Sequence, residues 1–435
     1  MTRPQKMVIV GAGPVGALAA LYAAQRGYIV EVYESINLVI SERGMSALRH
    51  AGQPELLQRV VAASVSMRGI MIHTQHAFGG LFQLPQDFDA LGRTNLAIDR
   101  TALTVALLDC LDALPNVKLF FSHKLVSADF HSDRALFEDR DWLSQTTEVR
   151  FDIMLGADGA YSAVRCNMME ISLMDYQHEY LDVLWCEFRM KPGRFATLKA
   201  DESQVPQFFD TNFPGVRDHI SDTSLIRSLS KSPHQSVISI KCKPYHFGSS
   251  GIILGDAAHT MAPFYGQGMN AGIEDVRVLF SVLDKHAQAT EVAVRGGGGD
   301  SSTEAAKTRR LALAEYSSSR WKDAHAINDL AMQSFLEMRT SRSMIYRLRK
   351  ALEEFMQVCF PSLGWQIRYS RVVFSNEPCA ECMRRSDRQG RLPSILTALA
   401  ACPFVVAGVF FACARRSLGA KLCGAVHALR QWSGF

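Results

Sequence analysis

The turn Gly11-Ala12-Gly13-Pro14-Val15-Gly16 constrains this chain more than any other feature. It follows the β-branched apolar run 7–10 and precedes an alanine- and leucine-rich stretch over 17–26, and residues 29–33 then resume as a strand. Strand, glycine turn, helix and strand make a βαβ unit, which opens a parallel sheet. The glycines allow a tight turn, close approach of backbone to a pyrophosphate, and close packing of helix on strand. The helix N-terminus then faces the phosphates with unpaired N–H groups. Glu34 closes the second strand, where a carboxylate can accept both ribose hydroxyl protons of an adenosine and argues against a 2′-phosphate. Gly11, Gly13, Gly16 and Glu34 are therefore expected to hold FAD or NAD in preference to NADP.

Two later segments choose FAD. Gly156-Ala-Asp158-Gly159-Ala-Tyr-Ser-Ala-Val-Arg165 follows a strand over 151–155, and Gly255-Asp256-Ala-Ala-His259 follows another over 252–254. Downstream comes Pro263-Phe-Tyr-Gly266-Gln-Gly268-Met269-Asn270-Ala-Gly272-Ile-Glu274-Asp275, with a helix beginning near Gly268. A buried aspartate at a strand end, Asp158 or Asp256, can hold a ribitol hydroxyl. A glycine-rich turn feeding a helix lays backbone N–H groups against the flavin pyrimidine and phosphates. Asp256 could instead cap its helix, and His259 reads as a structural histidine in a packed turn.

The rest of the chain bounds the partners. With 435 residues and 48% hydrophobic content there is room for two or three domains. The 47 basic residues exceed the 43 acidic ones by four, too weak an excess to point to nucleic acid. Ten cysteines are too few for a disulfide scaffold, and Cys379-Ala-Glu-Cys382 has no second pair at zinc spacing, so no metal is expected. No signal peptide precedes the first strand. Residues 395–414 carry no charge and lie between Arg391 and Arg415-Arg416. At about 1.5 Å per residue they would span roughly 30 Å, the hydrocarbon thickness of a bilayer.

The three glycine- and acid-bearing segments resemble the class A flavin-dependent aromatic hydroxylases. Within that class, Ser35-Ile-Asn-Leu38, Met71-Ile-His73, Gly159-Ala-Tyr-Ser162 and Gly266-Gln-Gly-Met-Asn-Ala-Gly272 are similar to the kynurenine 3-monooxygenase family in its fungal form. The similarity runs from about residue 7 to residue 376. It implies an α/β fold: a Rossmann-like FAD-binding domain over 1–165 and 245–290, with a shortened α+β substrate domain over 166–244. A flexible loop over 291–304, a helical region over 305–390 and a membrane anchor over 392–416 follow. It places FAD contacts on Val15, Glu34, Val39, Arg100, Leu125, Asp256, Met269 and Asn270. The implied reaction is hydroxylation of L-kynurenine to 3-hydroxykynurenine with NADPH and O2, on the route to quinolinate and NAD. The implied location is the mitochondrial outer membrane, with the catalytic part facing the cytosol. Because the cofactor supplies the difficult chemistry, no residue is singled out as catalytic.

The chain also departs from the family. A loop is missing between Glu34 and Ser35, and the second domain is short around residues 191–207. The family's carboxylate-binding Arg is Ile70 here, its first Tyr is Phe88, its Asn is Ser334, and only Tyr369 is kept. Losing a buried carboxylate's cationic partner costs about 2–5 kcal/mol, and losing a hydroxyl bond about 1 more. At about 1.4 kcal/mol per decade, kynurenine binding is expected to fall by about two to four orders of magnitude. Arg68, two residues before Ile70, reads first as a surface or structural arginine; in a strand it would point to the same face about 6–7 Å away and could meet a shifted carboxylate. A less polar aromatic substrate, or a non-catalytic FAD-binding paralogue, are the alternative readings.

Overall fold

The computed structural model describes residues 4–33, 42–75, 81–89, 91–141, 145–185, 235–294, 301–340, 344–360 and 364–390, with short stretches between 206 and 231. Its centre is a six-stranded sheet in the order His246–Phe247, Gly251–Ile253, Ile153–Gly156, Lys6–Val10, Ile29–Tyr33, Val117–Phe120. All neighbours are parallel except the short edge pair His246–Phe247 with Gly251–Ile253. Parallel strands buried on both faces need unbroken apolar runs. Met7, Val8, Ile9, Ile153, Met154 and Leu155 supply them, each 1% exposed or less.

The helix Pro14–Gln25 starts with Pro in its first turn, where a missing N–H costs nothing. It is buried almost all round, from Ala17 to Ala24, so it lies between the sheet and other helices. Tyr22 donates to the Ala47 carbonyl at 2.8 Å, which ties on the helix Glu42–His50. The helix Gly268–Val294 packs against both.

Four antiparallel units surround this core. His123–Asp129, Arg134–Asp139 and Thr146–Arg150 form a meander that the sequence reading did not separate. Asp175–Trp185 pairs with Gln235–Lys243 in the region expected to be the substrate domain. Ser64–Met67 pairs with Asn95–Ile98, and Gly69–Gln75 with Leu81–Asp87. Within the region 305–390, and just ahead of it, lie the helices Ser301–Thr340, Met344–Cys359 and Arg368–Val373.

One boundary needs correcting. Helix Gly268–Val294 runs four residues past the expected end of its domain at 290, and the next helix begins at Ser301, so residues 291–294 and 301–304 are helical; 295–300 lie outside the described residues. Serine and threonine favour helix starts, and Ser301-Ser302-Thr303 were assigned to the loop on composition alone. Among the described residues no helix is long and apolar enough to cross a membrane. The apolar segment 395–414 lies outside the described residues.

Candidate active site

The three segments converge at the C-terminal ends of the central strands. Gly11 has φ +104°, and a Cβ there would lie 2.3 Å from the Ala157 carbonyl oxygen and 2.9 Å from the Asp158 nitrogen. A Cβ on Gly16 would sit 1.8 Å from the Gly11 oxygen. Only glycine allows this crossing of two turns. Gly255, at φ +58°, repeats the device: its Cβ would meet Val15 Cγ2 at 3.3 Å and Gly272 Cα at 3.6 Å. The first turn therefore touches both others. Gly13 is the N-cap of Pro14–Gln25 and makes no side-chain cap bond, which leaves that helix terminus to a ligand.

Each acid has a distinct setting. Asp158 accepts from the Ser162 hydroxyl at 2.6 Å and the Val164 N–H at 3.1 Å, so it caps the following helix as well as facing Gly11. Burial raises its carboxyl above the usual range, against those bonds. Asp256 opens the one-turn helix Asp256–His259 behind Gly255. Arg165, missed as a functional residue, joins the two segments: it donates to the Ala257 and Ala160 carbonyls at 2.6 Å each. Its signal was its fixed place at the end of the Gly156–Arg165 run.

Gly268 starts the long helix, and a Cβ there would meet only Met261 at 3.6 Å and Asp256 Oδ1 at 3.9 Å. A helix N-terminus that admits a further atom at van der Waals distance suits the close approach of a flavin. Met269 and Asn270 follow it, buried, with Asn270 Nδ2 donating to the Gly266 carbonyl at 3.2 Å. Leu125 is buried in the strand His123–Asp129. Arg100 is the first residue of its helix, whose cap Asp99 accepts from the N–H groups of Thr101 and Ala102. Glu34 and Val39 lie outside the described residues, and of Arg100 and Ile70 only the backbone is described.

The proposed substrate wall assembles beside this cradle. Phe88 stacks on Tyr369 with centroids 5.7 Å apart, and Tyr265 meets Tyr369 edge-on at 5.4 Å. Asn95 Nδ2 donates to the Tyr369 hydroxyl at 3.4 Å, a contact the sequence reading missed. Burial pushes the Tyr369 phenol up to about 12, with Asn95 opposing. Ile70 belongs to the strand Gly69–Gln75, opposite Gln86. Ser334 sits half-buried on Ser301–Thr340. Arg68 lies at the surface. It precedes the strand that starts at Gly69, its side chain is 71% exposed, and its Nε binds Asp87 at 3.1 Å. Solvent and an anionic partner already satisfy it.

Comparison with known proteins agrees with this geometry. The FAD binding domain family matches residues 5–192 and 194–316. The solved p-nitrophenol 4-monooxygenase PnpA from Pseudomonas putida shares the fold, with TM-score 0.57 and 19% identity over 82% of this chain and 94% of that one. The class is thus an FAD-binding flavoprotein. The chain is 47% identical to the kynurenine 3-monooxygenase of Neurospora crassa, over 90% of this chain and 89% of that protein. It is 46% identical to that of Chaetomium globosum, over 90% and 96%. The chain belongs to the kynurenine 3-monooxygenase family. The 465 aligned positions with the Neurospora protein are more than 90% of 435 residues can fill, so that relative holds residues opposite gaps in this chain.

Proposed function

We propose that this chain is an FAD-dependent monooxygenase that hydroxylates L-kynurenine to 3-hydroxykynurenine with NADPH and O2; its relatives' name, kynurenine 3-monooxygenase, supports the substrate and the class of reaction. The observation that carries the reading is the meeting of the Gly11, Gly156 and Gly255 turns within a chain 47% identical to such an enzyme. Bound FAD supplies electron acceptance from NADPH and activation of oxygen. The protein's own residues bind and orient. The helix starts at Pro14 and Gly268 offer N–H groups to the phosphates and the flavin edge. Asp256 holds the ribitol chain, with Val15, Met269 and Asn270 beside it. Tyr369, half-buried and supported by Asn95, gives the amino acid a polar contact, and Phe88 and Tyr265 keep water from the ring. The test is NADPH oxidation stimulated by kynurenine, with 3-hydroxykynurenine formed. Formation of peroxide without hydroxylated product counts against the reading.

A second reading, the same chemistry on a less polar aromatic compound, is favoured by Phe88, whose ring stands where the family has a hydroxyl. Stimulation by uncharged aromatics and not by kynurenine would select it. Residues 395–414 are proposed to hold the protein to the mitochondrial outer membrane, with the catalytic part in the cytosol. Removal of residues 391–435 is expected to release the protein from the membrane fraction, and persistence there refutes the anchor.

A further inference from the structure

Asp275 is completely buried and accepts three hydrogen bonds. The Gly255 N–H reaches its Oδ2 at 2.8 Å, His259 Nε2 reaches the same oxygen at 2.6 Å, and Arg320 Nε reaches Oδ1 at 2.6 Å. Burial opposes its charge, yet His259, Arg320 and the Gly255 N–H together keep its carboxyl below the usual range. Its neighbour Glu274 takes Arg320 Nη2 at 2.9 Å and both contacts of Arg43 Nη1 at 3.1 and 3.2 Å. Arg43 continues to the carbonyls of Val372, at 3.0 Å, and Glu377. Two buried guanidinium and two buried carboxylate groups thus form one run, which Arg277 joins through Glu274 at 3.3 Å and Asp323 through Arg320 at 4.0 Å. It begins at the Gly255 turn and ends on the helix that carries Tyr369.

A buried carboxylate keeps its charge only with several donors, and donors so held lose their freedom to move. Gly255 is the residue so fixed on the flavin side. Its positive φ sets the direction in which Asp256 leaves the strand. We propose that Asp275 is a positioning residue for FAD: by holding the Gly255 N–H and His259, it aims Asp256 and the first turn of Gly268–Val294 at the cofactor. This rests on the reading of Asp256 as a flavin contact and deepens it. It does not depend on kynurenine being the substrate.

The test uses the full chain and measures FAD affinity by flavin fluorescence quenching, the visible flavin spectrum, and thermal unfolding. His259→Leu removes one donor at roughly constant volume, and His259→Gln restores a donor. Asp275→Asn removes the charge itself. His259→Leu and Asp275→Asn are expected to weaken FAD binding by at least about tenfold and to shift the flavin band, while His259→Gln stays near wild type. If Asp275→Asn does not fold, the His259 pair decides alone. Wild-type affinity and spectrum in His259→Leu overturn the proposal. So does an equal loss in His259→Leu and His259→Gln that follows unfolding temperature with an unchanged spectrum, because that pattern belongs to packing alone.

Discussion

Gly268→Ala separates the stability of the fold from occupancy of the flavin site. The residue begins the helix Gly268–Val294, and the nearest atoms to an added Cβ are Met261 Cγ at 3.6 Å and Asp256 Oδ1 at 3.9 Å. Both are ordinary van der Waals distances, so the protein itself accepts the methyl. Gly→Ala at a compatible helical site stabilises by about 0.4–1 kcal/mol, through lost freedom of the unfolded chain. The same methyl enters the space assigned to the flavin. Overpacking costs about 1–3 kcal/mol, equivalent to an increase of about fivefold to a hundredfold in the dissociation constant of FAD. Thermal unfolding of the apoprotein, followed by circular dichroism, should therefore be unchanged or higher, while fluorescence titration with FAD shows weaker binding. Gly16→Ala is the contrast, because its Cβ would lie 1.8 Å from the Gly11 backbone oxygen and neither backbone can yield cheaply. That variant is expected to lose stability and flavin together. Wild-type FAD affinity in Gly268→Ala would refute the placement of the cofactor.

Tyr369→Phe removes the hydroxyl that Asn95 meets at a long 3.4 Å, so unfolding should barely move. The KM for kynurenine should rise by about fivefold to tenfold, from loss of one hydrogen bond worth about 1–1.5 kcal/mol. An unchanged KM would remove Tyr369 from the substrate site. Ile70→Arg returns a cation to the hairpin Gly69–Gln75/Leu81–Asp87 and is expected to raise kcat/KM for kynurenine by about tenfold or more. The absence of any gain would assign the limitation to the shortened substrate region. Asp89 gives an acid-stability prediction. Burial alone would raise its carboxyl, but Arg93 and Ser370 outweigh it and hold it at about 2, below an ordinary value of 3.8. A depressed folded-state value means its stabilisation is complete above about pH 4 and is lost as pH falls through about 2. Asp89→Asn should unfold more easily than wild type at neutral pH, and the difference should close in acid. A constant difference from pH 7 to pH 2 would contradict this.

The cofactor half was legible because its chemistry is local. Gly11, Gly13 and Gly16 are required by one turn, and the strands and helix beside them follow from a dozen residues on either side. The aspartates 158 and 256 stand at strand ends for the same reason. What brings those turns together was not legible. Arg43 lies 231 residues from Glu274, and Arg320 lies 45 from Asp275. No periodicity marks such partners. His259 was read as structural, but its partner Asp275 could not be named. The substrate wall was the hardest. Phe88 and Tyr369 do meet, whereas Arg68 lies one residue before the strand Gly69–Gln75 and turns to Asp87 at the surface. Asn95 carried no signal, since its role depends on a tyrosine 274 residues away.

Anaerobic reduction of the flavin by NADPH, with and without kynurenine, tests the cofactor cradle and the substrate wall in one experiment. A yellow protein whose flavin is bleached faster when kynurenine is present is the expected result. Colourless protein that takes up no added FAD would contradict the convergence of the three turns on a single cofactor.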